Sequence, residues 1–172
     1  MEHYGTIEKA DTYATAIGNA DWSTGTTETK TAALVRASRY VDALSGLRRT
    51  AEGCVPRFPG RRTGGISQAL QWPRTGARDI DGYEIPADVV PVAIEYATYE
   101  AAIRELANPG SLSPDYVGKD AVKREKIGPI ETEYAVASEN GSGVDTMVQI
   151  AAVDAFLASV MWCRRGIGVM VV

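Results

Sequence analysis

Histidine is almost absent from this sequence: His3 is the only one among 172 residues. Ser-His-Asp and Cys-His nucleophilic systems, and metal sites built from several histidines, need histidine inside a packed site. One histidine two residues from the start of the chain does not supply that. The sequence therefore predicts no catalytic residue of these classes, no metal site and no cofactor.

Cysteine and long apolar runs are scarce as well. Cys54 and Cys163 are far apart and form no CxxC or Cys/His metal spacing, so we expect free thiols. The longest apolar stretch, residues 147–162, is interrupted by three polar residues and is shorter than the roughly 20 residues that cross a bilayer. The opening residues lack a basic segment followed by an apolar one, which predicts cytoplasmic synthesis without a membrane partner.

Acidic residues occur in closely spaced pairs, such as Asp79/Asp81 and Glu131/Glu133. Two carboxylates can work as acid and base, but these pairs lie in polar stretches where a solvated surface is the ordinary role. We therefore expect a protein that is not an enzyme. A carboxylate-only enzyme stays open as an alternative, and it would need a pocket that shields two acids.

Apolar spacing of three and four residues predicts about four helices. The first is short and capped by Asp11, and the second covers residues 27–45. The third begins at Pro86 and ends before the Asn108-Pro109-Gly110 stop signal, and the last is capped by Asp145. On the third helix we expect four charged residues on the solvated side: Glu95, Glu100, Arg104 and Glu105.

Glycine and proline concentrate in residues 46–86, which show no sustained periodicity and so predict a long interaction loop. Alternating apolar residues around a Gly-Pro break predict a β-hairpin within residues 118–137. With 45% apolar residues, the chain suits one domain over 1–172. The predicted fold class is mainly α, a helical bundle with this loop and hairpin.

Arginine is concentrated in the same loop. Residues 48–78 hold seven arginines, no lysine and one acid, although the net charge of the chain is −4. The guanidinium group pairs with carboxylates or phosphates through two hydrogen bonds. Either a neighbouring subunit or DNA is therefore a candidate partner, and pairing with the chain's own acids is the ordinary alternative. The candidate contact residues are Arg57, Arg61, Arg62, Arg74 and Arg78, with Phe58 and Trp72 as stacking surfaces.

The end of the sequence, residues 166–172, is an apolar tail. Apolar tails of this kind often dock on another protein. The candidate docking residues are Ile167, Val169, Met170, Val171 and Val172.

Four stretches together resemble a family of tailed-phage and prophage proteins, labelled DnaT-like single-stranded-DNA-binding proteins. They are residues 58–62 (FPGRR), 68–74 (QALQWPR), 105–110 (ELANPG) and 122–128 (VKREKIG). The resemblance extends from Tyr4 to about Tyr134. Proteins of this kind are also similar to head–tail adaptors, which are helical bundles that form a ring, commonly of twelve subunits, under the portal.

The resemblance implies a structural protein of the virion neck, made in the host cytoplasm. Its partners would be further copies of itself, the portal protein through the tail, a stopper or tail-terminator protein, and the double-stranded DNA that passes through the ring. The acidic charge and apolar tail favour this hypothesis. The alternative is a primosomal protein that binds single strands through Arg57, Arg61, Arg62, Phe58 and Trp72.

Overall fold

The structure is a computed structural model that describes residues 2–50, 53–113, 124–127, 130–133 and 148–161. The predicted mainly α fold with about four helices is confirmed. The helices are α1 (Ile7–Ala16), α2 (Thr27–Leu44), α3 (Val92–Ala107) and α4 (Ala151–Leu157). Short 3₁₀ turns lie at Asp21–Thr24 and Gly65–Ser67. No helix in these ranges is long and apolar enough to cross a membrane.

In the described ranges, eight short strands pair in sequence order into four two-stranded antiparallel ladders. They are β1 (Leu47–Thr50), β2 (Gly53–Pro56), β3 (Arg61–Arg62), β4 (Arg74–Thr75), β5 (Ala77–Arg78), β6 (Glu84–Ile85), β7 (Arg124–Ile127) and β8 (Ile130–Glu133). The β7–β8 pair confirms the hairpin predicted within residues 118–137. Six of the eight strands lie in residues 46–86, so the predicted loop is folded into three small ladders.

Helix α2 forms where its spacing predicted it. The Thr26 side chain accepts a hydrogen bond from the backbone N–H of Thr29, which satisfies one of the free donors of the first turn. One face of α2 packs on α3, and α3 in turn packs on α1 and α4. The side chains that α2 buries are Lys30, Ala33, Leu34, Val35, Ala37, Ser38, Tyr40, Val41 and Leu44.

The predicted start of α1 at Asp11 is wrong. The helix begins at Ile7, because the Thr6 side chain accepts a hydrogen bond from the Lys9 N–H and caps it. Asp11 lies inside the helix, and its Oδ1 accepts hydrogen bonds from Trp22 Nε1 at 2.6 Å and from Lys30 Nζ at 2.8 Å. These bonds fix Trp22 in the core, where it is 2% exposed.

Two other predicted helix starts also differ from the structure. Helix α3 begins at Val92 and not at Pro86, because Pro91 is extended and stands just before the first helical residue. Helix α4 begins at Ala151, and the predicted cap Asp145 lies outside the described residues.

Glu105 was expected on the solvated side of α3, but its side chain is fully buried. Its Oε1 pairs with Arg36 Nε of α2 at 2.6 Å and accepts a hydrogen bond from Gly110 N–H at 2.7 Å. Its Oε2 accepts a hydrogen bond from Leu112 N–H at 3.3 Å. One carboxylate therefore joins α2 to α3 and to the turn that follows α3.

Gly60 and Gly76 both adopt a backbone conformation that favours glycine, and Gly60 in addition has no room for a side chain. Both residues have positive φ, 66° and 67°, where a side chain costs about 1–2 kcal/mol. A Cβ at Gly60 would also collide with the Thr75 carbonyl oxygen and lie 2.8 Å from Ala77 N, whereas nothing lies within 4 Å at Gly76. We expect Gly60→Ala to lower the free energy of unfolding by about 2–3 kcal/mol and the control Gly76→Ala by about 1. Urea unfolding measures both, and equal losses would contradict this packing.

Candidate interaction surface

The two aromatic side chains predicted as stacking surfaces are both in the core. Phe58 and Trp72 are each 2% exposed, and their rings meet edge to face with centroids 5.7 Å apart. A nucleic-acid base can stack only on an exposed ring. The predicted contact role of Phe58 and Trp72 is therefore wrong for this fold, because both rings pack against the protein's own apolar side chains.

Arg74 is also buried, and it holds the loop together from inside. Its Nε donates to the Pro59 carbonyl at 2.6 Å, and its Nη2 donates to the Gly60 carbonyl at 2.7 Å. Its Nη1 donates to both the carbonyl and the side-chain oxygen of Gln71, at 3.2 and 3.0 Å. The predicted contact role of Arg74 is wrong as well, because its donors are used inside the chain.

A second polar network fastens this loop to α2 and to the start of the chain. The Tyr4 hydroxyl donates to Asp42 Oδ1 at 2.6 Å and accepts a hydrogen bond from Trp72 N–H at 3.0 Å. Asp42 Oδ2 accepts a hydrogen bond from Gln71 N–H at 3.0 Å. Burial raises the pKa of the Asp42 carboxyl to about 6, and hydrogen bonds from Tyr4 and Gln71 act in the opposite direction.

The raised pKa of Asp42 predicts a loss of stability with rising pH. The folded chain binds the proton more tightly than the unfolded chain, whose ordinary pKa is 3.8. The stabilisation that this proton provides is thus fully present below about pH 4. As the pH rises through about 6 it is lost, and the free energy of unfolding falls by about 2–3 kcal/mol. We expect the free energy of unfolding to fall over this pH range in the wild type and not in Asp42→Asn, as measured by urea unfolding at each pH. Parallel pH profiles for the two proteins would contradict it.

The other candidate arginines are closer to solvent. Arg61 is exposed on β3, and Arg57 and Arg62 are half-buried. Arg62 Nη1 donates to the Gln68 carbonyl at 3.0 Å. Arg78 is exposed and stands 3.7 Å from the Glu84 carboxylate, which is exposed too, so this ion pair contributes little to stability. The docking residues predicted in the tail, 167–172, lie outside the described residues.

A set of exposed apolar side chains was missed by the sequence analysis. Of the seven large apolar residues exposed in the described part of the chain, five fall between positions 80 and 96. We call these five the apolar patch: Ile80, Tyr83, Val89, Val92 and Tyr96. Val92 and Tyr96 are four residues apart and share one face of α3.

Ile80 and Tyr96 of the apolar patch both contact the segment formed by α4 and the turn that follows it. The Ile80 N–H, at the tip between β5 and β6, donates to the Ser159 carbonyl at 3.0 Å. Tyr96 meets Phe156, less than one turn before Ser159, with ring centroids 5.6 Å apart. Tyr13 of α1 completes the aromatic cluster, with its centroid 5.0 Å from that of Tyr96.

The charge changes sign between Arg78 and Asp79. Residues 53–78 contain five arginines and no acid, whereas residues 79–103 contain six acids and no lysine, arginine or histidine. Asp81, Glu84 and Asp88, which we call the acidic rim, are exposed and alternate along the chain with Ile80, Tyr83 and Val89 of the apolar patch. The apolar patch therefore lies in the acidic segment of the chain, directly after the basic segment 53–78, although Glu84 and Glu95 are paired with Arg78 and Lys9.

Within the described residues, no three His, Cys, Asp or Glu side chains form a group that could hold a metal ion. The geometry instead defines a mainly helical protein with a basic loop beside an apolar patch with an acidic rim. The chain belongs to the family described as "Putative DnaT-like ssDNA binding protein", whose model matches residues 1–172. The chain matches no curated protein and no solved structure.

Proposed function

We propose that this protein is a non-catalytic assembly subunit, a head–tail adaptor that forms a ring between a phage portal and the stopper or tail. In this role it binds other proteins without turnover, and the DNA passes through the ring. We further propose that the apolar tail, residues 167–172, docks on the portal and that the protein is located in the virion neck.

The apolar patch carries this proposal. A monomeric soluble protein rarely exposes a large contiguous apolar surface, and such surfaces usually mark binding sites for proteins or membranes. The acidic rim makes this surface unfavourable for the phosphates of DNA. A protein partner accounts for both the apolar centre and the charged rim.

Capture on the portal ring tests the adaptor role. The full chain and a variant lacking residues 167–172 are incubated with the portal protein encoded in the same genome, and bound protein is quantified after sedimentation of the ring. We expect the full chain to bind and the shortened chain not to bind, with unchanged helical circular dichroism. Absence of binding by the full chain would overturn the adaptor role.

A second candidate function is single-stranded-DNA binding, which the family description and the arginine concentration favour. Because Phe58 and Trp72 are buried, this function would depend on charge, with Arg61 as its most exposed candidate. Fluorescence anisotropy with a labelled oligonucleotide tests it. Salt-sensitive binding that Arg61→Ala weakens, and that the control Arg104→Ala, also at an exposed position, does not, would favour it over the adaptor.

A further inference from the structure

Among the described side chains of the basic segment, residues 57–78, one large apolar side chain is exposed. Ile66 is 95% exposed at the centre of the 3₁₀ turn Gly65–Ser67. An isoleucine this exposed gives up the stabilisation of about 1.5–3 kcal/mol that burial provides. A partner surface that covered Ile66 would recover much of it.

The Ile66 turn, residues 64–68, is held firmly although its tip is exposed. Gln68 Oε1 accepts a hydrogen bond from Gly64 N–H at 2.9 Å, and Gln68 Nε2 donates to the carbonyls of Leu70 and Pro73 at 2.9 and 3.0 Å. Arg62 Nη1 donates to the Gln68 carbonyl. A turn braced in this way loses little conformational freedom on binding, which favours association.

The surroundings of Ile66 are the electrostatic opposite of the apolar patch. The turn lies within the 53–78 stretch, which has arginines and no acids, and the patch lies within the 79–103 stretch, which has acids and no basic residue. Both surfaces are exposed in the same folded chain. A second copy therefore offers the complementary surface to each.

We propose that the Ile66 turn of one copy docks on the apolar patch of a second copy, with Arg61 facing the acidic rim near Asp81. The contact we propose is head-to-tail and not reciprocal, so the first copy keeps its apolar patch free and the second copy keeps its Ile66 turn free. Such a contact propagates into a closed ring or an open filament. This inference deepens the proposed assembly role by naming the surfaces through which copies meet.

Cross-linking between two different single-cysteine proteins tests the pairing. In the full chain with Cys54→Ser and Cys163→Ser, one protein carries Ser67→Cys beside Ile66 and the other Ala87→Cys beside Val89, so both docking surfaces stay intact. We expect a disulfide-linked dimer when the two are mixed under mild oxidation, and little when either is oxidised alone. Equal self-cross-linking of Ser67→Cys, or no cross-link in the mixture, would overturn the head-to-tail contact.

Sedimentation equilibrium gives an independent measure. Loss of the buried isoleucine should raise the dissociation constant of the self-association about 10- to 100-fold in Ile66→Ser. The matched control Ile17→Ser removes the same side chain from an exposed site at the end of α1 and should have no effect. Equal effects of the two variants would overturn the proposal.

The two proposals fail in different ways. Self-association without the 67–87 cross-link overturns the pairing but leaves an assembly role. A chain that is monomeric at every concentration up to its solubility limit overturns the pairing, and portal capture then decides the adaptor role by itself.

Discussion

Arg74→Ala is expected to lower the free energy of unfolding by about 3–5 kcal/mol, because it removes a buried hydrogen bond to the Pro59 carbonyl and part-buried ones to the carbonyls of Gly60 and Gln71. The guanidinium of Arg74 bonds to the carbonyls of Pro59, Gly60 and Gln71 in three directions. Arg74→Lys should recover only part of the loss, because an ammonium group cannot reproduce the planar set of donors. Urea unfolding followed by tryptophan fluorescence measures the change.

The matched control for Arg74 is Arg61→Ala, which removes the same side chain from an exposed position in β3, the strand that pairs with β4. We expect it to change stability by less than about 0.5 kcal/mol. A loss below about 1 kcal/mol for Arg74→Ala would contradict the role of this side chain in organising the loop.

Glu105→Ala is expected to cost about 3–4 kcal/mol. The substitution removes the partner of Arg36 and the acceptor for the N–H groups of Gly110 and Leu112, one of which is buried. Arg36 is half exposed and can turn to water, so most of the loss comes from the helix–turn connection. The change is read from urea unfolding curves.

Glu84→Gln is the control for Glu105, because Glu84 is largely exposed and its ion pair with Arg78 is long. It should change stability by less than about 0.5 kcal/mol. Similar small effects of Glu105→Ala and Glu84→Gln would show that the buried carboxylate is not needed for the α2–α3 connection.

The helices could be predicted from the sequence wherever local signals determine them. Helix α2 has a Thr cap and a regular apolar face, and it was predicted within one residue of its bounds. The start of α1 could not be predicted in this way, because Thr6 and Asp11 are both good caps. Asp11 is instead used by Trp22 and Lys30, which lie 11 and 19 residues away.

The structure of the basic loop depends on contacts between residues that are distant in sequence. Tyr4 and Asp42 reach the backbone of Trp72 and Gln71, and Arg74 reaches back to Pro59. Composition alone showed glycine, proline and arginine, which are typical of a solvated interaction loop. For the same reason, Phe58, Trp72 and Arg74 were assigned to a surface although they are buried.

The apolar patch was missed for a related reason. Apolar residues at helical spacing usually face the core, so Val92 and Tyr96 gave no sign that they would be exposed. Whether they are covered depends on where the β5–β6 tip and α4 pack. The charge reversal at Arg78–Asp79, in contrast, is visible in the sequence and needed only a comparison of the two segments.

Competition between the two candidate partners is the most direct test of the account. The full chain is mixed at physiological salt with portal rings and a single-stranded oligonucleotide in excess, and the protein that sediments with the rings is measured. The account predicts that the chain stays with the rings and that the oligonucleotide does not reduce the bound amount. A chain that leaves the rings, or never joins them, and binds the oligonucleotide instead would contradict the account.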